Sequence, residues 1–340
     1  MLSYVKSIRI KGLFGRFDLE QEFSAGVNVI YGHNGSGKTT LLHILTNILN
    51  GDYDRFAFLD FKSILLEFNN GRTVRLARTR DQDDVTGAVD YLITVDDGES
   101  IEILSIQEIE SQEPTLTTPF TLDIECTSEE YKSSKALLPT VYFPAFRTVI
   151  EAWKSVRKNY SARTAEQATS FIRRWLLPFI PRVDYPSLSQ VEQGLANSNA
   201  TLSGRGKVDR YLECVNSFLE GKKLVVNPQG EELHLPPVDL KFDDGTRSGL
   251  GALSSGERQI VTLMYAATQV NSYKVLLVDE PEISLHVRWQ RLLLNKMATL
   301  SRYQQIIACT HSPVIHADYP DMRLVLAPTS DEYEEIPYDG

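Results

Sequence analysis

The residues with the most specific chemistry form an eight-residue run, Gly32-His33-Asn34-Gly35-Ser36-Gly37-Lys38-Thr39, which fits G-x-x-x-x-G-K-[ST] at every position. Glycines spaced in this way let backbone N–H groups curl around a phosphate, and the N-terminus of a following helix adds partial positive charge. Lys38 then supplies a point charge for the β and γ oxygens, and the Thr39 hydroxyl is placed to ligate magnesium. A second run, Lys274-Val275-Leu276-Leu277-Val278-Asp279-Glu280, is an apolar strand ending in two carboxylates. Beside a phosphate loop, Asp279 would hold magnesium through water, and Glu280 would polarise an attacking water as general base.

Such side chains need rigid elements behind them. Residues 27–31 are a short β-branched run bounded by Gly26 and Gly32, and Leu41, Leu42, Leu45 and Leu49 recur at helical spacing over 39–49, so the glycine loop is expected to join a buried strand to a helix. Upstream, strand patterns cover 5–10 and 17–23 around a turn at 12–15. Downstream, 63–68, 73–77 and 91–95 alternate as strands between NNG and DDG turn signals, an antiparallel meander. A strand at 141–143 precedes a mainly helical stretch from about 148 to 225. From 236 onward the pattern predicts strands at 238–242, 274–279, 305–309 and 324–327, with helices at 256–270 and 287–300.

The 340 residues are 42% hydrophobic and 24% charged, with a formal charge of -10 and a pI near 5.2. That balance excludes a uniformly basic protein that coats nucleic acid by charge alone, so any such contact must use a local patch. Acidic residues crowd 81–113, as expected of a solvated face. Segment 151–182 reverses the sign, with seven Lys and Arg against Glu151 and Glu166. It is either a helical face that pairs with the acidic meander or a surface for phosphate backbone, with Trp153, Tyr160 and Trp175 available for stacking. Cys126, Cys214 and Cys309 are odd in number and far apart, which argues against a disulfide framework or a CxxC metal site and for a reducing cytoplasm. The apolar runs are too short to span a bilayer, and the N-terminus has no signal-peptide core.

Between the two chemical runs lies Leu253-Ser254-Ser255-Gly256-Glu257-Arg258-Gln259, just ahead of a helical pattern. The order phosphate loop, LSSGE, VLLVDEP and CTHS resembles the ABC ATPase superfamily. The resemblance implies an α/β fold, an ABC-type P-loop ATPase head in which a mixed sheet with an antiparallel β subdomain carries a helical insertion. The lobes would be 1–147 and 236–340 and the insertion 148–235. It implies ATP and Mg2+ as cofactors, held by Gly32, Asn34, Gly35, Ser36, Gly37, Lys38, Thr39 and Thr40, with Thr39 and Asp279 on the metal. In that family the signature loop and its helix N-terminus bind the γ-phosphate of a nucleotide held by a second subunit. Here Ser254, Gly256 and Glu257 would do so, with Ser255 replacing a glycine and Glu257 the glutamine of the transporter form LSGGQ. Asp279 follows Gly256 by 23 residues and His311 follows Glu280 by 31, so His311 resembles the switch histidine and joins Glu280 and Lys38 as a catalytic candidate. His286, in PEISLH, falls in the dimer-contact loop. Gln82 and Gln107 lack the flanking pattern of a glutamine loop, and neither is assigned. Arg147 closes a strand, and Phe14, Arg16 and Phe17 are positional candidates for adenine. His33, His43, His234 and His316 are expected to be structural.

Lys38 and Gly256 are 218 residues apart, longer than a transporter ATPase normally allows. Sustained heptads and a CxxC hook are absent, unlike chromosome-maintenance ATPases. SSGE and DEPE-x-x-LH resemble short-insert bacterial ATPases, including the ATPase halves of overcoming-lysogenisation-defect nucleases and the ATPases of the Septu and PARIS anti-phage systems. Only 29 residues follow His311, so a nuclease domain of the TOPRIM type is expected on a separate polypeptide. The resemblance thus implies a cytoplasmic ATPase that forms a head-to-tail dimer or higher oligomer. It would regulate a separate effector protein, a nuclease being one candidate, in anti-phage defence and without a membrane. The alternatives are an ATP-dependent DNA-binding scaffold or repair ATPase, with DNA on 151–182, and, less favoured, a transporter subunit.

Overall fold

Unbroken apolar runs of five or six residues belong in strands covered on both faces, whereas alternating runs belong in sheets with one wet face. Both kinds occur here. A computed structural model describes residues 4–82, 89–96, 101–107, 140–143, 186–199, 202–227, 236–268, 275–300, 305–320 and 322–329. In chain order the first strands are β1 (Val5–Leu13), β2 (Phe17–Glu22) and β3 (Val27–Tyr31), followed by helix α1 (Lys38–Asn50). The meander is β4 (Ser63–Phe68), β5 (Thr73–Gln82), β6 (Val89–Asp96) and β7 (Ile101–Gln107), and β8 (Thr140–Phe143) follows. Helices α2 (Leu188–Asn199) and α3 (Leu202–Asn216) lead into β9 (Lys222–Val226), β10 (Val238–Phe242) and β11 (Arg247–Ser248). Then come α4 (Ser255–Thr268), β12 (Val275–Asp279), α5 (Val287–Leu300), β13 (Gln305–Thr310), the short α6 (Pro313–His316), β14 (Met322–Arg323) and β15 (Ala327–Pro328).

These strands build a seven-stranded antiparallel sheet in the order β15-β2-β1-β4-β5-β6-β7, a small antiparallel sheet β11-β10-β9, and a five-stranded sheet β14-β3-β13-β12-β8. Every pairing in the last is parallel. Its side chains alternate between two cores. Ile30, Leu277, Ile307 and Cys309 face the cluster that contains α1 and the seven-stranded sheet. Val29, Leu276, Val278, Ile306 and Ala308 face the cluster built from α2, α3, α4 and α5. Helix α1 lies between two sheets, which is why Leu41, Leu42, Ile44, Leu45, Ile48 and Leu49 are all buried. Each such side chain contributes about 2 kcal/mol of burial free energy. The mixed α/β architecture therefore agrees with the sequence.

Three local features differ from expectation. Leu324 was expected inside a strand at 324–327, but β14 ends before it and β15 begins after it. Leu324 is instead buried, with its Cδ2 facing the backbone of Gly37, so packing on the loop outcompetes continued pairing. The stretch expected to be helical contains β9, which pairs with β10 over Lys222–Val226. Within the meander the expected strands 63–68 and 91–95 are present as β4 and β6, whereas β5 continues beyond the expected 73–77 to Gln82, and β7 follows. The basic segment 151–182, Arg147, Cys126, His234 and most of the acidic run lie outside the described residues.

Candidate nucleotide site

Parallel pairing brings the ends of three strands level. Asp279 lies opposite Cys309, Cys309 opposite Ile30, and Thr310 opposite Tyr31. The segments leaving β3, β12 and β13 therefore emerge side by side at the carboxyl edge of the sheet, where open α/β sheets bind ligands. After β3, the chain closes a glycine loop and enters α1. Gly35 and Gly37 have φ of +81° and +86°, conformations that any side chain would strain. The first turn of α1 holds no acidic residue, so nothing there opposes an anion at its free N–H groups. Lys38 is buried, and its Nζ donates to the carbonyls of Gly32 and His33, both at 2.8 Å. Inside the loop the Ser36 hydroxyl is buried with no hydrogen-bond partner among the described residues. A Cβ on Gly32 would approach it to 2.8 Å. His33, Asn34 and Gly35 are exposed, and Thr40 is half-buried.

Thr39 Oγ1 donates to Asp279 Oδ2 at 2.7 Å, tying α1 to the end of β12 across 240 residues. The second oxygen of Asp279 is buried and has no hydrogen bond among the described residues. Burial pushes the carboxyl up to about 6 against the Thr39 hydroxyl bond; Glu280 adds to the rise and Lys38 opposes it. An unsatisfied buried oxygen costs about 1–3 kcal/mol, and a cation would relieve it. Thr39 and Asp279 thus fit magnesium, which takes one or two carboxylates and completes its shell with phosphate oxygens and water. Among the described residues no cluster of three His, Cys, Asp or Glu could hold a metal by itself.

Glu280 has a φ of +44°, a strain of order 1–3 kcal/mol that clusters at functional sites. Its N–H donates to the Cys309 carbonyl at 2.8 Å. Its carboxylate is partly exposed and lies 3.5 Å from His311 Nδ1, so the structure brings the expected base and the expected switch histidine together. A third acid was not assigned from the sequence. Glu282 is buried, and its Oε1 accepts from Thr310 Oγ1 at 2.6 Å, His311 N at 2.9 Å and Ser312 N at 3.1 Å, with His311 Nδ1 at 3.2 Å. Its signal was the second glutamate of DEPE.

The signature residues occupy another region. Ser254 and Glu257 form a reciprocal cap on α4: Ser254 N donates to Glu257 Oε2 at 2.7 Å, and Glu257 N to Ser254 Oγ at 3.3 Å. Lys222 from β9 meets the same carboxylate at 3.0 Å. Burial raises the Glu257 pKa, but the Ser254 N–H and Lys222 outweigh it and leave the group below its ordinary value. Arg258 donates to the carbonyls of Leu253 and Gly251 at 2.9 and 2.8 Å, fixing the loop ahead of the helix. Gly256 packs so closely that an added Cβ would sit 2.5 Å from the Ser284 carbonyl oxygen. Among the described residues no hydrogen bond or ion pair joins Ser254, Gly256 or Glu257 to the phosphate loop of the same chain.

His43 is buried against the Tyr142 hydroxyl at 2.9 Å, and burial lowers its pKa to about 3. His316 stacks on Tyr31 with centroids 4.8 Å apart. His286 is exposed and accepts from Arg288 N. Phe14 is exposed at the β1–β2 turn, and the Arg16 guanidinium lies 5.1 Å over the Phe17 ring. Pro328 pairs with Phe17 while Leu326 packs against Gly37, which links that hairpin to the phosphate loop. Gln82 and Gln107 close β5 and β7.

Two family models match this chain. One, described as "AAA domain", covers residues 7–161; the other, described as "AAA domain, putative AbiEii toxin, Type IV TA system", covers 184–318. The "Retron Vc95 probable ATPase" of Vibrio cholerae serotype O1 biovar El Tor is 26% identical over 93 residues, 24% of this chain and 18% of that protein. The match therefore spans less than a fifth of the retron protein's length. "DNA replication and repair protein RecF" of Shewanella baltica (strain OS155) is 23% identical over 314 residues, 80% of this chain and 82% of that protein. Among solved structures, the SMC head domain from Thermotoga maritima aligns at 14% identity over 96% of this chain and 99% of that one, with a TM-score of 0.42. With the phosphate loop and its magnesium-fitting carboxylate in place, this chain carries P-loop ATPase domains of the AAA/ABC-like kind.

Proposed function

We propose that the protein binds ATP with magnesium and hydrolyses it, and that two copies close head to tail around two nucleotides. The observation that carries this is the single sheet edge on which Lys38, Thr39, Asp279, Glu280 and His311 converge. Lys38 and the α1 N-terminus would hold the phosphates, and Glu280 would take a proton from the attacking water while His311 faces the γ-phosphate. A magnesium ion on Thr39 and Asp279 would supply neutralisation of phosphate charge. Ser254, Gly256 and the start of α4 would complete the site of the partner copy, which accords with their separation from the loop of their own chain.

Hydrolysis would remove the γ-phosphate bridge and release the pair, so that turnover acts as a timer on a separate effector. An anti-phage role is what the SSGE and DEPE-x-x-LH resemblance implies, and the matched descriptions themselves name a retron ATPase and a type IV TA system. A second reading, an ATPase that works on DNA, is favoured by the match to RecF along most of both chains. The experiment is an Mg-ATPase assay with size measurement by light scattering. Glu280→Gln is expected to abolish turnover and accumulate an ATP-dependent dimer. Wild-type turnover in that variant would remove the base assigned here. Salt-dependent binding of duplex DNA by the full chain would move the proposal to the second reading.

A further inference from the structure

We infer that Lys222 is a positioning residue for the start of α4, where it cancels the charge of Glu257 so that this helix end can meet a phosphate. The inference rests on the head-to-tail ATPase reading above, in which α4 faces the nucleotide of the partner copy. The two helix starts of that reading differ in one respect. The first turn of α1 holds no acidic residue, whereas the first turn of α4 holds Glu257. A carboxylate there stabilises its own helix, but it offsets the partial positive charge of the free N–H groups and repels an incoming anion. Glu257 is also fixed in that place, since it is buried and accepts from Ser254 N at 2.7 Å.

Lys222 answers that charge. Its Nζ lies 3.0 Å from each oxygen of the Glu257 carboxylate, and the two side chains are 14% and 11% exposed. Water and salt screen so covered a pair only weakly, so the neutralisation acts where the helix begins. Among the described residues no other cation pairs with Glu257, and the neighbouring Arg258 directs its N–H groups to the carbonyls of Leu253 and Gly251. The lysine is itself held by its strand. Gly221, with a φ of +72°, turns the chain into β9. Leu224 then fixes that strand to α3, its N–H donating to Asn216 Oδ1 at 2.7 Å and its carbonyl accepting from Asn216 Nδ2 at 3.1 Å. Pairing with β10 sets Lys222 opposite Phe242, and its Nζ lies 5.7 Å from the centroid of that ring. Lys222 is thus a fixed countercharge, supplied to the signature loop by a strand 35 residues earlier in the chain.

Light scattering in the Glu280→Gln background, with ATP titrated at constant magnesium, tests this. Lys222→Met keeps an unbranched stem and loses the charge. It should raise the ATP concentration at half-dimerisation about tenfold or more, because the uncancelled carboxylate acts at both sites of the pair. Affinity for a fluorescent ATP analogue at protein concentrations below dimerisation should change less than about twofold, since Lys222 is remote from the phosphate loop of its own chain. Adding Glu257→Gln to Lys222→Met should bring half-dimerisation back within about threefold of the parent. Glu257→Gln alone, in which the lysine keeps its charge, should need no more ATP than the parent. A bridge that only holds the fold would instead weaken the dimer in both single variants. That result would overturn the inference, as would dimerisation of Lys222→Met at the parent's ATP concentration. If Lys222→Met does not fold, the direction of change in Glu257→Gln still decides. A Glu280→Gln parent that forms no dimer with ATP would overturn the head-to-tail reading on which the inference stands.

Discussion

Asp279→Asn should change stability in a pH-dependent way that isolates the cost of burying the Asp279 carboxylate. Burial raises the Asp279 carboxyl from 3.8 to about 6, so the folded protein binds that proton more tightly than the unfolded chain. Below pH ~4 the group is protonated in both states and carries no charge penalty; above pH ~6.5 it is ionised in both, and the folded state bears the whole cost. A difference of about two pH units, at roughly 1.4 kcal/mol each, gives about 3 kcal/mol. Asp279→Asn removes the charge but keeps an acceptor for the Thr39 hydroxyl. The stability difference between variant and wild type should therefore grow by about 3 kcal/mol in the variant's favour between pH ~4 and pH ~7, and then level off. Urea unfolding followed by tryptophan fluorescence, in chelator and without nucleotide, measures it. Any fixed packing cost of the amide drops out of the comparison. ATP and magnesium at neutral pH should reverse the order by stabilising only the wild type. A difference that stays constant from pH ~4 to pH ~7 would refute the claim that Asp279 is held charged against its surroundings.

Gly256→Ala should lower stability by about 1–3 kcal/mol, because the new methyl would meet the Ser284 carbonyl oxygen at 2.5 Å and that contact is backbone; an unchanged melting temperature would show that the α4 N-terminus is not seated as described. His43→Gln should lessen acid lability. The buried imidazole titrates near 3 against an ordinary value of 6.5, so wild-type stability is lost as pH falls below 6.5, and the variant's unfolding midpoint should vary less between pH ~6.5 and pH ~4. Parallel pH profiles for the two proteins would contradict that account.

The sequence discloses those parts of the site whose chemistry is local. A phosphate loop needs glycines, a lysine and a hydroxyl within eight residues, and it lies between a strand and a helix that each have a clear period. The strands β12 and β13 are legible because both of their faces are covered, which leaves unbroken apolar runs. What escapes is set by contacts between distant segments. The partnership of Glu282 with the chain at 310–312 spans about thirty residues, and nothing in DEPE says which of its acids will be buried. The role of Leu324 as a wedge beside Gly37, rather than as strand, depends on a loop nearly three hundred residues away. Likewise β9 lies in a stretch of helical character, and its strand state depends on pairing with β10 and on Lys222 reaching Glu257.

Gly256 and Ser284 touch within one chain, yet in the proposed head-to-tail pair they serve different nucleotides. In that pair the turn containing Ser284 would lead away from Glu280 and Glu282 beside the chain's own ATP, while the helix begun at Ser255 would face the neighbour's. A helix start that leaves no room for a methyl group would pass a movement of that turn to the partner copy in such a pair. Occupancy of one pocket would then be felt in the other, and ATP consumption should rise with nucleotide concentration more steeply than for independent sites.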